Sequence, residues 1–242
     1  MRVMQQPAFV LHRHYYGESS LLLEIFTRDF GRLGVIAKGA RRATSEYRSI
    51  LNPFQPLLVN WAGKGDLATL TRAEAESQAY VLAGKRLFCG FYINELILRL
   101  LYRHDPHERL FIIYKTALCG LQEDAACEAV LRIFEKRLLA ELGYGLVLDY
   151  EIECRAPIVP GAAYLYILNR GPVILRDAGT HGVKLRGASL LALANETLTD
   201  SLVLQETKAL LRAALAQYMG GKPLKTRQLF QNLKRAPAMG ES

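Results

Sequence analysis

The spacing of apolar residues changes partway along the chain, and this change constrains the fold more than any other feature. Five short apolar runs separated by turn signals occupy residues 8–75, a pattern typical of short β-strands. From about Tyr80 onward, apolar residues recur at the spacing of amphipathic helices. The sequence therefore predicts an α+β protein with a strand-rich front and a helix-rich back.

Five strands within residues 1–80 are sufficient to close a small barrel, and we predict an OB-fold DNA-binding domain there. An SH3-like barrel is the main alternative. The OB-fold is favoured because the long connector after the third strand has room for a short helix.

Residues 81–242 are predicted to form a helical domain. Helical periodicity fails between about 148 and 183, where Pro157, Pro160 and Gly161 interrupt the chain and indicate a small loop-and-strand insert. A helix over about 125–142 has one apolar face and ends before Gly143. The opposite face of that helix carries Glu128, Arg132, Glu135 and Lys136.

The connector between the third and fourth strands is rich in basic residues. A cationic loop beside a small barrel can neutralise the phosphates of a nucleic acid, which releases counterions and provides affinity without reading sequence. A solvated surface loop is the alternative. The candidate DNA-binding residues in and around this loop are Arg32, Lys38, Arg41, Arg42, Arg48 and Lys64.

A second basic cluster follows Gly220 and Gly221 near the C-terminus. Its members Lys222, Lys225 and Arg227 either contact DNA or complement the dipole of the last helical turn. The net charge of +8 and the pI of about 9.4 make polyanions plausible partners.

Four aromatic residues near the barrel, Tyr15, Tyr16, Phe54 and Trp61, offer faces on which bases could stack. An aromatic side chain in a strand more commonly belongs to the core. We therefore leave these residues outside the predicted site.

Two clusters raise the alternative of metal-dependent chemistry. His12 and His14 are two residues apart on a predicted strand and so share a face, while His104, Asp105, His107 and Glu108 lie in a connection between helices. Neither cluster shows a complete ligand set. The Gly220-Gly221-Lys222 sequence lacks the spacing of a phosphate-binding loop, so the prediction is a protein that is not an enzyme.

Cys89, Cys119, Cys127 and Cys154 are far apart and contain no Cys-x-x-Cys pair, which indicates reduced thiols in the cytoplasm. The N-terminal residues lack the apolar core of a signal peptide. No apolar run is long enough to span a membrane, and no membrane partner is expected.

Several blocks, spread in order over almost the whole chain, resemble the bacterial RecO family of DNA repair proteins, which are recombination mediators. They are Glu18-Ser19-Ser20, Phe26-Thr27-Arg28, Gly31-Arg32, Ala37-Lys38-Gly39-Ala40-Arg41, Leu51-Asn52-Pro53-Phe54, Tyr92-Ile93-Asn94-Glu95-Leu96, Leu142-Gly143-Tyr144-Gly145 and Gly220-Gly221-Lys222-Pro223-Leu224-Lys225-Thr226-Arg227.

This resemblance implies an N-terminal OB-fold, a helical domain, binding of single-stranded and double-stranded DNA, and annealing of complementary strands. It also implies work with RecR to load RecA onto strands coated by single-stranded DNA-binding protein, in a nucleoid-associated location. Some relatives carry a four-cysteine zinc site in the insert. Only Cys154 lies in this insert, and one thiolate cannot form such a site, so a zinc-finger-like region without its cysteines, and no cofactor, is expected.

The resemblance further implies a site in the helical domain for the acidic, aromatic-ended tail of single-stranded DNA-binding protein. Such a ligand needs an apolar groove bordered by Arg or Lys. Arg132 is the first candidate, followed by Lys115 and Lys136, and an ordinary exposed helix face is the alternative for each.

Two readings from other classes stay open. One is a metal-dependent nucleic-acid enzyme that uses the cluster around His104 and His107. The other is a protein-interaction hub whose charge is incidental.

Overall fold

The computed structural model describes residues 2–63, 65, 67–123, 126–176, 181–220 and 223–229. Its contacts divide the chain into two compact units, one of residues 1–123 with 223–242 and the other of residues 124–222. The predicted domain boundary at residue 80 was based on the change in apolar spacing. Grouping by contacts instead puts the helices of residues 84–122 in the same unit as the strands. That boundary therefore stays a prediction.

The first unit contains the predicted five strands. They are β1 Arg2–Tyr16, β2 Ser20–Thr27, β3 Gly31–Ala37, β4 Leu57–Ala62 and β5 Leu67–Ala75. They form a closed barrel in the order β1-β2-β3-β5-β4, with β1 returning to pair with β4. All pairs are antiparallel except β3 with β5. The expected short helix, α1 Tyr47–Ile50, lies in the connector after β3. This arrangement is consistent with the OB-fold.

Alternating side chains of the strands fill the barrel. Leu23, Ile25, Val35 and Val59 are among its fully buried residues, and Trp61 packs edge-on against Phe30 with ring centroids 5.2 Å apart. The alternation of β1 is interrupted by a bulge between Val10 and His12. A bulge reverses the faces toward which later side chains point.

Two helices of the first unit pack on the outside of the barrel. These are α2 Gly84–Leu100 and α3 Glu108–Gln122. Phe9 of β1 lies edge-on to Tyr114 of α3 at 5.0 Å between ring centroids. The hydroxyl of Tyr114 donates to Asn94 Oδ1 at 2.8 Å, and Asn94 Nδ2 donates to the Leu11 carbonyl at 3.0 Å. Burial raises the pKa of Tyr114 well above its usual range, so this hydroxyl stays a donor.

The second unit combines three helices with the insert. The helices are α4 Cys127–Glu141, α5 Gly187–Asn195 and α6 Ser201–Tyr218, and the insert contributes β6 Ala163–Ile167, β7 Gly171–Ile174 and β8 Val183–Arg186. The three strands form an antiparallel sheet in the order β7-β6-β8. Gly143 has a φ of +83° just after α4, which glycine adopts without strain. Asp200 begins α6 by accepting from the Leu202 and Val203 amides.

The structure differs from the predicted helix over 125–142 mainly on the charged side of α4. Arg132 and Glu135 are buried, with 4% and 1% of their surfaces exposed. Their side chains pair at 2.5 Å. The helix packs against both α5 and α6, and two neighbours leave little of its surface in solvent. The alternative prediction that Arg132 lies on an ordinary exposed helix face is therefore wrong. In the described part of the chain, no helix is long and apolar enough to cross a membrane.

Candidate nucleic-acid interface

The basic connector after β3 is held against the barrel by its backbone. Ala40 is fully buried, and the Arg41 amide donates to the Ser19 carbonyl at 2.8 Å. Lys38, Arg41, Arg42 and Arg48 are all exposed. Within the described residues no carboxylate pairs with them, so their charges remain available to an outside anion.

A groove of about 430 Å³ lies between the far end of β1 and α1. The residues that line it are Arg13, Tyr15, Leu21, Ala40, Arg41, Tyr47, Arg48 and Asn52. We call this the basic groove. It contains three guanidinium groups and, among the described lining residues, no carboxylate.

Aromatic and cationic side chains are combined inside the basic groove. The guanidinium carbon of Arg41 lies 4.1 Å from the centre of the Tyr15 ring, and Arg41 Nη1 donates to the Gly17 carbonyl at 3.2 Å. Arg13 Nη1 donates to Asn52 Oδ1 at 2.6 Å. Tyr15 is 80% exposed. The groove therefore offers fixed cations for phosphates and an aromatic face for an unpaired base.

The bulge in β1 brings Arg13 and Tyr15 to the groove. Arg13 lies opposite Leu23 and Tyr15 lies opposite Leu21, and both leucines belong to the barrel core. Without the bulge, plain alternation would put Arg13 on the face of Phe9, which packs on the helices. Arg13 was missed in the sequence because the position of a bulge depends on strand pairing. Tyr15, which we left outside the predicted site because strand aromatics more commonly belong to the core, is exposed.

The other aromatic candidates divide between core and surface. Phe54 and Trp61 are each only 4% exposed, whereas Tyr16 is 47% exposed. The expectation of core aromatics is confirmed for Phe54 and Trp61 alone.

Arg32 is not part of the basic groove. Its Nη1 pairs with Glu24 at 2.9 Å and its Nε donates to the Leu101 carbonyl at 3.1 Å. Arg103 also pairs with Glu24. These contacts give Arg32 a role in joining β2, β3 and the segment after α2. Its role in DNA binding stays a prediction.

The predicted C-terminal cluster is described in part. Its member Lys222 lies outside the described residues, as does Lys64 among the candidates near the basic connector. Lys225 is exposed and Arg227 is half-buried, in a helical turn at 225–229. We call residues 223–229 the C-terminal segment.

The C-terminal segment is bound to α2 of the same unit by Glu95 and Arg99. Glu95 accepts hydrogen bonds from the Lys225 amide at 2.8 Å, the Thr226 amide at 2.9 Å and the Thr226 hydroxyl at 2.7 Å. Arg99 donates to the Pro223 carbonyl at 2.8 Å, and Leu224 is buried. Although burial opposes it, these hydrogen bonds and Arg99 lower the pKa of Glu95, which keeps it an acceptor near neutral pH.

The C-terminal segment belongs to the first unit, and the net charge of the protein resides in that unit. Residues 124–222 contain as many acidic as basic side chains. The whole net charge of +8 therefore belongs to the unit that holds the barrel and both chain ends. The basic connector lies in the same compact unit as Lys225 and Arg227 of the second cluster, whereas Lys222 belongs to the other unit.

The candidates for a tail-binding site occupy both units. Arg132 and Lys136 are on α4 of the second unit, and Lys115 is on α3 of the first. Lys136 Nζ donates to the carbonyls of Leu193 and Ala194 at 3.1 and 2.9 Å and pairs with Glu196, so it caps the end of α5. Arg132 is buried, and its Nε has no hydrogen-bond partner among the described groups.

The predicted alternative of a metal site concerns two clusters of side chains. His107 Nε2 lies 3.1 Å from Asp105 Oδ2, and the rings of His12 and His14 have centroids 4.1 Å apart. Among the residues that the structure describes, no three His, Cys, Asp or Glu side chains are placed to hold a metal ion. All four cysteines are free thiols.

A carboxylate closes the turn of the insert that contains Cys154. The buried Glu151 accepts hydrogen bonds from the Glu153 amide at 2.9 Å and from the Cys154 amide and thiol, each at 2.8 Å. The hydrogen bonds from Cys154 are the main reason that the pKa of Glu151 is lowered. Its negative charge thus stabilises the turn.

We expect Glu151→Gln to lower the free energy of unfolding by roughly 1–2 kcal/mol at neutral pH, because the amide accepts these hydrogen bonds less well than a carboxylate. A carboxyl with a lowered folded-state pKa contributes its stability above its unfolded pKa and loses it as the pH falls through the folded value. The difference from wild type, measured by urea denaturation, should therefore shrink in acid. The exposed neighbour variant Glu153→Gln is the control, and an equal effect there would contradict the role of Glu151.

Comparisons with known proteins agree with one another over nearly the whole chain. The family model described as "Recombination protein O N terminal" matches residues 1–79, and that described as "Recombination protein O C terminal" matches residues 82–228. A protein of Nitrosococcus oceani is 49% identical over 235 residues, covering 97% of this chain and 96% of the relative. Proteins of Nitrosospira multiformis and Dechloromonas aromatica are each 44% identical, over 95% and 96% of this chain and 96% and 97% of the respective relatives. All three relatives are named "DNA repair protein RecO".

Proposed function

Since this chain belongs to the RecO family, we propose that it is a DNA-binding and strand-annealing recombination mediator in DNA repair, and that it is not an enzyme. Family membership supports the repair role. The observation that carries DNA binding is the basic groove, which is lined by Arg13, Arg41, Arg48 and the exposed ring of Tyr15.

The groove chemistry suits single strands. Guanidinium groups neutralise successive phosphates and release condensed counterions, and Tyr15 provides a stacking face that any base can use. Neutralising the backbone also reduces repulsion between complementary strands. Annealing then follows from holding two strands close together, without a chemical step.

Protein partners complete the proposal. We propose that the protein works with RecR to load RecA onto strands coated by single-stranded DNA-binding protein, and that α4 contributes to binding the acidic tail of the latter. Family membership alone carries this part of the proposal, because Arg132 is only 4% exposed and Lys136 already pairs with Glu196. The metal-dependent alternative at His104 and His107 gains no support, since the described residues around them provide no third ligand.

The first test is binding of a fluorescent single-stranded oligonucleotide by anisotropy. Wild type should bind, and Tyr15→Leu should bind about ten-fold more weakly, because stacking of one base on an aromatic ring contributes roughly 1–3 kcal/mol. Binding of blunt duplex should change much less, since its bases are already stacked.

Tyr102→Leu is the matched control. Tyr102 is also a tyrosine of the first unit with 80% of its surface exposed, but it does not line the groove. Loss of affinity in both variants, or in neither, would argue against base stacking in the groove.

A further inference from the structure

Beyond the bulge in β1, alternate side chains point to opposite sides of the strand. Arg13 and Tyr15 face the basic groove, while His12 and His14 lie on the other face, opposite Glu24 and Leu22 of β2. Both histidines are exposed. Their rings have centroids 4.1 Å apart and an interplanar angle of 33°. The far end of β1 therefore presents two faces of different chemistry.

Positive groups outnumber negative ones on the histidine side. Glu24 of β2 faces His12, but its carboxylate is already paired with Arg32 of β3 and with Arg103 after α2. Lys225 is held near His12 through α2: Asn94 donates to the carbonyl of Leu11, the residue before His12, and the next residue, Glu95, accepts from the Lys225 amide. The hydrogen bonds of Glu95 hold the backbone of the C-terminal segment on α2, so the position of Lys225 is built into the first unit.

The neighbouring positive groups make the protonated form of His12 unfavourable while no anion is bound. Although His12 is exposed, the part of its ring that is shielded from water is the largest cause that lowers its pKa; the charges of His14 and Lys225 lower it further, while Glu24 opposes them. An arriving phosphate would reverse the balance, because an anion favours the protonated imidazole. A site of this kind binds an anion and a proton together.

We infer that His12, His14 and Lys225 form a second phosphate-binding site for the nucleic-acid backbone, on the opposite face of β1 from the basic groove, and that it binds more tightly in acid. We call this site the histidine face. The inference rests on the proposed function, since it assigns a further contact and a pH response to the same DNA-binding unit.

The strand edge supplies a route between the two faces. Residues 12–16 of β1 pair with β2 along one edge, whereas β4 pairs only with the earlier part, residues 2–8. Among the described residues no strand covers the second edge of 12–16. A single strand that leaves the groove can pass around this edge and place its next phosphates at the histidine face.

The test is anisotropy of a fluorescent single-stranded oligonucleotide across a salt series at about pH 6 and about pH 8, on either side of the ordinary histidine pKa. A phosphate that raises the pKa of one imidazole by about one unit strengthens binding up to about ten-fold in acid. The slope of log affinity against log salt should also steepen in acid by roughly 0.7 for each phosphate gained.

The double variant His12→Gln with His14→Gln should lose both responses, because glutamine cannot gain a proton as the pH falls. His181→Gln is the control, because His181 is an exposed histidine of the second unit and its loss should leave both responses intact. Lys225→Gln should weaken binding at both pH values, since its side chain is exposed and only its backbone contacts Glu95.

Outcomes separate this inference from the proposed function. Absence of binding by wild type at either pH would overturn both. Binding by wild type with the same pH response in the double histidine variant would overturn the histidine face alone and leave the basic groove in place. A pH response that disappears in His181→Gln would also overturn it.

Discussion

Reversing two charges of the basic connector, in the variant Lys38→Glu with Arg41→Glu, is expected to weaken binding of single-stranded DNA by about 10- to 100-fold at low salt. Each lysine or arginine that neutralises a phosphate contributes counterion release, and each glutamate adds repulsion. Arg41 also leaves the ring of Tyr15, from which its guanidinium carbon is 4.1 Å away. Anisotropy across a salt series should show a shallower slope of log affinity against log salt, and annealing of complementary oligonucleotides should slow in parallel.

The matched control reverses two arginines elsewhere. Arg155 and Arg170 are exposed and belong to the second unit, which carries no net charge. Arg155→Glu with Arg170→Glu changes the net charge of the protein by the same amount. Equal loss of affinity in both double variants would mean that net charge, not the connector, governs binding. Unchanged affinity in the connector variant would favour a protein-interaction hub whose charge is incidental.

Arg132→Ala is expected to lower the free energy of unfolding by about 3–5 kcal/mol, because it removes the guanidinium from beside a buried carboxylate. The side chains of Arg132 and Glu135 are 5% and 1% exposed and pair at 2.5 Å. Urea denaturation of the intact protein measures the effect. Replacing both partners, as Arg132→Leu with Glu135→Leu, should restore much of the lost stability, since a buried ion pair replaced by apolar groups is often near neutral.

Lys208→Ala provides the comparison for an exposed pair. Lys208 and Glu128 pair at 3.1 Å with side-chain exposures of 48% and 33%, and such pairs contribute at most about 1 kcal/mol. If Arg132→Ala cost no more than Lys208→Ala, the burial of the Arg132 pair would have little energetic weight.

The burial of Arg132 changes how a tail-binding role must be tested. Weaker binding of an acidic tail peptide to Arg132→Ala could arise from partial unfolding alone. Arg132→Lys keeps the positive charge but loses the planar donor set, so it separates the two causes. In a variant that stays folded, reduced peptide affinity with unchanged DNA affinity would support a role for Arg132 in tail binding.

Local pattern was sufficient for most of the fold. Short apolar runs between turn signals predicted the five strands, helical spacing predicted helices from about Tyr80 onward, and the basic connector was visible as a run of Lys and Arg. These properties depend on residues that are close in sequence, so neighbouring positions carry the signal. The RecO resemblance, with motifs in order along the whole chain, indicated the family for the same reason.

Pairing and packing between distant segments decided the rest. A bulge set by the register of β1 against β2 turned Arg13 and Tyr15 into the basic groove and left His12 and His14 on the opposite face. Contacts of α4 with two other helices buried Arg132. Glu24 forms an ion pair with Arg32. Glu95 binds the C-terminal segment, which therefore lies in the same unit as the basic connector. Strand register and helix neighbours depend on the whole folded chain, which is why only the tertiary structure shows them.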